Sequence, residues 1–175
     1  DLNNDDPFVV VDNTAFVAGD NSGLQIIDIS NPESPQIISS VSSPDVAFDV
    51  VVEDDIAFVP SRFAGLQVID VSDRFNPSVL TTLATPSRAN SVAVSGNYAY
   101  VTTHIDNGLE VVDVTDPENP FIAGSLYTAG LAVRLDVKDG YVYLADSEGG
   151  FLIVDVQAPS APTVVGSLPF NRLDD

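Results

Sequence analysis

Gly65-Leu-Gln-Val-Ile-Asp-Val-Ser72 is the stretch that decides the fold, because close copies of it recur along the whole chain. The other three copies are Gly23-Leu-Gln-Ile-Ile-Asp-Ile-Ser30, Gly108-Leu-Glu-Val-Val-Asp-Val-Thr115 and Gly150-Phe-Leu-Ile-Val-Asp-Val-Gln157. The aspartate of each copy lies 42 or 43 residues after that of the copy before it. Self-similarity at a fixed period of this length indicates a repeat architecture.

Each copy is the third of four strand-like segments. In the second repeat, Phe48–Val52 and Ile56–Val59 come first, joined by a turn, and Ser78–Leu83 comes last. In the third and fourth repeats the first two segments are Ser91–Val94 with Tyr98–Val101 and Leu135–Val137 with Tyr141–Leu144. No stretch shows the apolar period of a helix. Short antiparallel strands at this repeat length predict an all-β fold, a β-propeller of four-stranded antiparallel blades.

The repeats divide the chain into an acidic N-terminal linker at 1–7, blades at 8–44, 45–86, 87–129 and 130–170, and a tail at 171–175. Four such blades close alone, pair with a second copy into an eight-bladed ring, or form part of a longer propeller. We favour the longer propeller, because the chain contains no methionine and its terminal repeats lack polar capping. An open set of blades exposes apolar faces, which predicts a protein partner or self-association.

The repeated core Gly-Leu-x-[Ile/Val]-[Ile/Val]-Asp-[Ile/Val]-[Ser/Thr], followed by a turn that contains proline, resembles the LVIVD-repeat family. The segments Ala57-Phe-Val59 and Tyr98-Ala-Tyr-Val101 are similar to that family's second strand. The resemblance covers about residues 8–168. It implies a β-propeller of the kind found in secreted or surface-anchored microbial proteins without a well-defined activity. The fourth copy departs from the pattern at its turn, Gln157-Ala158-Pro159.

The composition is strongly acidic, with 26 acidic against 6 basic residues and a net charge of −20. Such a surface lacks the basic face that binding to nucleic acid or to an anionic membrane needs. No apolar run approaches the roughly 18 residues that span a bilayer, so we expect no membrane insertion. A solvating acidic coat explains the charge, and adaptation to high salt or calcium-loading loops are the alternatives. With no cysteine and one lysine, the composition favours an extracellular or cell-surface location.

The repeated aspartates end each third strand before a turn; they are Asp28, Asp70, Asp113 and Asp155. A carboxylate in this position accepts hydrogen bonds from backbone N–H groups of the turn, so we interpret the four as structural turn anchors. A ring of metal ligands is the alternative interpretation.

A second set of candidates follows from strand direction. Because strands alternate, the loops between second and third strands share one face of the propeller with the loops between blades. This loop face collects three of the five arginines and the only histidine, namely Arg62, Arg88, Arg134 and His104. Guanidinium groups concentrated in so acidic a chain predict a binding site for a small anionic or polar ligand. In the alternative, the arginines pair with carboxylates and hold blades together, the candidates being Asp45, Asp49, Asp136 and Asp146.

The N-terminus suggests a metal site. Oxygen-bearing side chains at Asp1, Asn3 and Asp5 have the spacing of the first ligands of a calcium-binding loop. The glycine expected at the sixth position is missing, since Asp6 stands there, so a flexible acidic linker is the alternative. We therefore assign no cofactor from the sequence, and calcium bound at these residues is the alternative.

Catalytic signatures are sparse. His104 is expected to be an exposed loop residue, and there is no cysteine, no Gly-x-Ser-x-Gly motif and no phosphate-binding glycine loop. We assign no catalytic residue and expect a non-catalytic extracellular module for protein–protein interaction or self-association through blade faces and loops. Binding of a small anion or calcium at the loop face is the second hypothesis, and a hydrolase or lyase site in the axial channel is the third.

Overall fold

The computed structural model describes residues 7–19, 21–104 and 108–170, which form sixteen β-strands in four antiparallel sheets. Each sheet contains four strands in sequence order, so the all-β prediction of four-stranded antiparallel blades is confirmed. Within these ranges no helix is long and apolar enough to cross a membrane.

Blade 1 consists of β1 (Phe8–Val11), β2 (Thr14–Ala18), β3 (Leu24–Asp28) and β4 (Gln36–Val41). Blade 2 consists of β5 (Val51–Glu53), β6 (Ile56–Ser61), β7 (Gly65–Asp70) and β8 (Ser78–Leu83). Blade 3 consists of β9 (Arg88–Ser95), β10 (Tyr98–His104), β11 (Gly108–Asp113) and β12 (Phe121–Leu126). Blade 4 consists of β13 (Ala132–Lys138), β14 (Tyr141–Asp146), β15 (Gly150–Asp155) and β16 (Thr163–Leu168).

The glycine at the start of each third strand is required by the backbone. Gly65 has a φ of +101°, a conformation that residues with a side chain rarely adopt. A Cβ at this position would lie 2.1 Å from the carbonyl oxygen of Leu83. Positive φ and a similarly close approach recur at Gly23, Gly108 and Gly150. The glycine thus lets every third strand begin directly beside the end of the fourth.

The first strands of the blades differ in extent from the sequence prediction. β9 and β13 begin three residues before the predicted segments Ser91–Val94 and Leu135–Val137. A β-bulge in each ladder lets pairing with the second strand continue towards the loop face. β5 covers only part of the predicted segment Phe48–Val52. Before β5, Ala47 forms an isolated β-bridge with Ser61 at the end of β6.

Neighbouring blades pack face to face, and each contact between them is an apolar core. The cores are centred on Leu24 and Ile26 between blades 1 and 2, on Leu66 and Val68 between blades 2 and 3, and on Leu109 and Val111 between blades 3 and 4. All of these side chains are fully buried. In the described ranges no further core joins blade 4 to blade 1. The four blades therefore form an open arc.

Position within the arc decides the exposure of equivalent residues. Leu66 and Leu109 are fully buried, whereas Phe151, at the same position of blade 4, is 36% exposed. At the other end of the arc, Phe8 is 66% exposed while its counterpart Val50 in blade 2 is 3% exposed. Each end blade thus turns one apolar face away from its neighbour.

We call these two surfaces the free faces of the arc. The free face of blade 1 comprises Phe8, Val10, Val17 and Ile27, and that of blade 4 comprises Tyr143, Phe151, Ile153 and Leu168. Strand register puts each set on one side of its sheet, since residues that face each other across a ladder lie on the same side. On the blade 4 free face, the rings of Tyr143 and Phe151 stack with centroids 6.1 Å apart.

A buried carboxylate connects the innermost strands. Asp49 precedes β5, and Ser91 and Arg134 occupy the equivalent positions of the next two blades. The Oδ2 atom of Asp49 accepts hydrogen bonds from Ser91 Oγ at 2.6 Å and from the Val92 N–H at 3.1 Å. Its Oδ1 atom accepts one from the Val50 N–H at 2.9 Å and lies 3.9 Å from Arg134 Nη1. Three blades thus meet at one carboxylate.

Candidate functional site on the loop face

The four repeated aspartates act within their own turns. In each blade one carboxylate oxygen accepts a hydrogen bond, at 2.8 to 2.9 Å, from the backbone N–H two residues further on. The pairs are Asp28 with Ser30, Asp70 with Ser72, Asp113 with Thr115 and Asp155 with Gln157. Hydrogen bonds from the side chain and the backbone of that residue lower the pKa of Asp70 and of Asp113. This geometry is that of a turn anchor.

Metal ligation has little geometric support in the described part of the chain. Within it, no three His, Asp or Glu side chains are grouped so that they could hold a metal ion. The calcium ligands predicted at Asp1, Asn3 and Asp5 lie outside the described residues, and calcium binding there remains a prediction.

A groove of about 390 Å³ between blades 2 and 3, lined in part by Glu53 and Phe58, opens on the side opposite to the loop face.

Three of the predicted ligand-binding residues come together where blades 2 and 3 meet at the loop face. Arg88 begins β9 and is paired across the ladder with His104 at the end of β10. Arg62 lies in the turn after β6, and its carbonyl oxygen accepts a hydrogen bond from the Ala89 N–H at 2.9 Å. The φ of Arg62, +39°, is a strained conformation for a residue with a side chain. We call Arg62, Arg88 and His104 the loop-face cluster.

Two expectations about these residues are wrong. His104 is half-buried at the end of a strand instead of exposed in a loop, because a β-bulge at Asn90 of β9 lets β10 and β9 pair up to this residue. Arg88 and Arg134 belong to strands and not to the loops between blades. The backbone of these residues is therefore fixed by ladder hydrogen bonds.

The two guanidinium groups of the cluster lie over aromatic rings. The Cζ atom of Arg88 is 4.4 Å from the ring centroid of Phe48, and that of Arg62 is 5.0 Å from the ring centroid of Phe63. Neither arginine has a carboxylate within 4.0 Å among the described residues. Both Nε atoms are buried without a hydrogen-bond partner in that part of the chain. Cation–π contact compensates for part of the lost hydration but leaves these donors unpaired.

The charges of the cluster act on one another. Burial, and then the positive charge of Arg62, lower the pKa of Arg88. Burial, and then the charge of Arg88, lower the pKa of His104, which favours its neutral form. Two like charges in a partly dehydrated site favour the binding of a negative group between them.

Asp45 is the acidic residue that responds to both arginines. The hydrogen bond from the Val46 N–H is the main cause of its lowered pKa, and the charges of Arg62 and Arg88 act in the same direction. Its Oδ1 atom accepts that bond at 2.8 Å, and its Oδ2 atom accepts one from the Phe63 N–H at 3.2 Å. The Asp45 carboxylate is thus hydrogen-bonded to backbone groups, and it compensates the positive charges of Arg62 and Arg88 only in part.

The structure does not bring Arg134 to the cluster. Its Nη1 atom lies 3.9 Å from the buried carboxylate of Asp49. The alternative prediction, that arginines on this face pair with aspartates, therefore applies to Arg134 and Asp49. Asp136 and Asp146 instead accept hydrogen bonds from backbone N–H groups of their own segments.

Exposed apolar blade faces were predicted from the repeat, but no residues were assigned to them. Phe151 stands where the other copies have leucine, and this substitution is the one difference in blade 4 at that position. Its side chain is apolar in either case, so the sequence of blade 4 alone does not distinguish a covered face from a free one. Exposure here depends on the presence of a neighbouring blade.

Comparisons with known proteins agree with this architecture. Four segments, 7–43, 46–85, 86–128 and 129–169, match the family model described as LVIVD repeat. No curated protein matches the sequence.

Among solved structures, the chain is similar to the computationally designed Ika4 protein at 14% identity, with a TM-score of 0.66 over 84% of this chain and 88% of that one. It is similar to the computationally designed Ika8 protein at 12% identity, with a TM-score of 0.72 over 95% and 52% of the two chains. The Cps50 (Swd1) beta-propeller domain of Myceliophteria thermophila matches at 9% identity, with a TM-score of 0.71 over 89% and 55%.

These structural likenesses show the fold alone. The chain spans about half the length of the Ika8 and Cps50 chains. The four matched segments together cover nearly all of the sequence, and each contains one of the four sheets. The chain therefore belongs to the LVIVD repeat family and folds as a β-propeller of four-stranded blades.

Proposed function

We propose that this LVIVD-repeat chain is a non-catalytic interaction module, located outside the cell or at its surface, that associates through the free faces of blades 1 and 4. The observation that carries the proposal is the exposure of apolar side chains at positions that are buried elsewhere in the arc. Leu168 is 64% exposed, whereas Val41 at the equivalent position of blade 1 is 8% exposed. Exposed apolar surface of this kind favours association.

The two free faces are complementary halves of one kind of interface. At every internal contact, the face that carries the first apolar residue of the repeated core packs against the next blade, as Leu24, Leu66 and Leu109 do. The opposite face packs against the previous blade through Ile69, Val112 and Val154. The blade 4 free face is of the first kind and includes Phe151. The blade 1 free face is of the second kind and includes Ile27.

Self-association would supply the complementary face from a second copy. Blade 4 of one copy packs on blade 1 of the other, and the same contact is repeated at the second junction, so that both free faces of each copy are covered. Each copy carries a net charge of −20, and this repulsion opposes association. We therefore expect the dimer to be tighter in high salt than in low salt.

The proposed location has separate support from composition. The acidic, cysteine-free composition favours an extracellular or cell-surface setting.

Sedimentation velocity over a wide concentration range tests self-association. We expect the wild-type chain to form a dimer and Leu168→Asp to be monomeric, because a charge on the blade 4 free face would be buried without a partner. Val79→Asp is the matched control, since Val79 is 46% exposed in the fourth strand of an inner blade, away from both free faces. Far-UV circular dichroism verifies that both variants are folded. A wild-type chain that is monomeric at every concentration and salt, or equal dissociation by Val79→Asp, would contradict the proposal.

A further inference from the structure

The loop-face cluster has a property that association through the free faces does not use. It concentrates two of the chain's five arginines and its only histidine at one boundary between blades, in a chain with 26 acidic residues. An acidic surface offers many carboxylates for ion pairing, yet among the described residues neither Arg62 nor Arg88 forms a salt bridge. The local excess of positive charge is therefore a feature of the site and not of the composition.

The cluster is built on fixed backbone. Arg88 and His104 are opposite each other in the β9–β10 ladder, and Arg62 is joined to β9 by the hydrogen bond from Ala89. The strained φ of Arg62 is maintained by this contact. Placement on paired strands reduces the ordering that ligand binding requires, which favours affinity.

We propose that the loop-face cluster binds a small organic carboxylate, held between the guanidinium groups of Arg62 and Arg88. Planar guanidinium forks match the two oxygens of a carboxylate in geometry and charge. A bound carboxylate would offset one of the two positive charges and reduce the repulsion between them. It would also supply acceptors to two arginines that have no carboxylate partner among the residues the structure describes.

Two features favour an organic carboxylate over inorganic phosphate. Phe63 is 69% exposed and lies directly beside the Arg62 guanidinium, so it offers apolar surface to the carbon part of a ligand. A ligand with a single negative charge is also repelled less than a dianion by a protein of net charge −20. His104, with its lowered pKa, adds a polar group beside Arg88.

Isothermal titration calorimetry with glucuronate, glucose and inorganic phosphate at constant ionic strength tests the proposal. We expect saturable binding of glucuronate, no binding of glucose, and weaker binding of phosphate than of glucuronate. Arg62→Gln and Arg88→Gln each remove one guanidinium fork and should weaken glucuronate binding by about tenfold or more. Arg88→Lys keeps the charge but not the fork, and should weaken it to a smaller extent.

Arg134→Gln is the matched control, because it removes the same charge from the same face but its side chain is directed to Asp49. We expect its affinity for glucuronate to equal that of the wild type. Absence of glucuronate binding by the wild type would overturn the proposal, as would phosphate binding without glucuronate binding. An equal loss of affinity in Arg134→Gln would show a general charge effect and would also overturn it. Sedimentation velocity of the same variants separates this site from the free faces, since none of these substitutions lies in the blade 1 or blade 4 residue sets defined above.

Discussion

The inner blade contacts and the free faces are made from the same sequence pattern but have opposite environments. Leu109 of blade 3 is fully buried against blade 4, whereas Phe151 of blade 4, one repeat later, is 36% exposed. Hydrophobic side chains at these positions become core only when another blade follows. In this arc the repeat sequence specifies the shape of a blade face, and the neighbouring blade determines whether that face stabilises the fold.

Removing a side chain from each region gives the largest expected difference. We expect Leu109→Ala to lower the free energy of unfolding by about 2–5 kcal/mol, because it leaves a cavity in a packed core. Phe151→Ala should cost less than about 1 kcal/mol in the monomer, since part of the side chain is already in water. Urea unfolding below the concentration at which dimers form measures both values. Equal costs would mean that blade 4 is covered within a single copy.

A second comparison separates a carboxylate that joins blades from one that does not. Asp49 accepts hydrogen bonds from Ser91 and Val92 of the next blade, whereas Asp136 in β13 accepts one from the adjacent Val137 N–H. Asp49→Ala should cost about 2–3 kcal/mol, because two buried donors of blade 3 lose their acceptor. Asp136→Ala should cost less than about 0.5 kcal/mol. Thermal unfolding of the two variants is the measurement, and similar melting temperatures would contradict the role assigned to Asp49.

The interface between blades 2 and 3 should also respond to pH. Glu110 is fully buried at the position where blade 2 has Gln67, and burial raises the pKa of Glu110 while a hydrogen bond from Ser125 opposes this shift. A carboxyl group with a raised pKa in the folded state keeps its proton while the unfolded chain releases one. Stability is therefore lost as pH rises above the unfolded pKa.

Glu110→Gln removes this titration. We expect the variant to be more stable than the wild type at pH 8, with the advantage shrinking as pH falls towards 4. Unfolding midpoints measured across this pH range check the prediction, with Gln67→Glu as the reciprocal variant that should introduce the same pH dependence in blade 2. A stability difference between the wild type and Glu110→Gln that does not grow from pH 5 to pH 8 would contradict it.

The turn aspartates should give the smallest effects, and similar ones in both regions. Asp70 in inner blade 2 and Asp155 in end blade 4 each accept one backbone hydrogen bond within their own turn, and the Ser72 side chain adds a second bond to Asp70. Asp70→Ala and Asp155→Ala should therefore each cost about 0.5–1.5 kcal/mol. Chemical denaturation tests whether the two costs agree. A cost at Asp70 several times larger than at Asp155 would indicate a role beyond the turn.

The features that recur within each repeat could be predicted from the sequence. The period, the four strands of each blade and the carboxylate contact two residues along the chain all follow from short stretches around residues such as Asp70. The extent of the first strands could not be predicted, because the bulge at Asn90 depends on pairing between strands.

The candidate site was predicted in part for the same reason. Arg62, Arg88 and His104 share a face by strand direction alone, so alternation placed them together. Arg134 shares that face but is directed to Asp49, which is two blades away, and only the packing of blades around the axis creates this contact. The sequence also did not show whether a carboxylate neutralises the two arginines of the cluster. This depends on Asp45, whose two oxygens accept hydrogen bonds from backbone N–H groups.

The absence of a fourth core in the described arc has a consequence for assembly geometry. Each further blade that packs on the arc covers one free face and exposes another of the same kind. The contacts between blades therefore do not by themselves limit the number of blades. Growth of the arc stops only when the rotations between successive blades add up to a full circle, so that the last blade packs against the first. The angle between successive blades, and not the identity of any contact residue, therefore separates a closed ring from a growing helical filament.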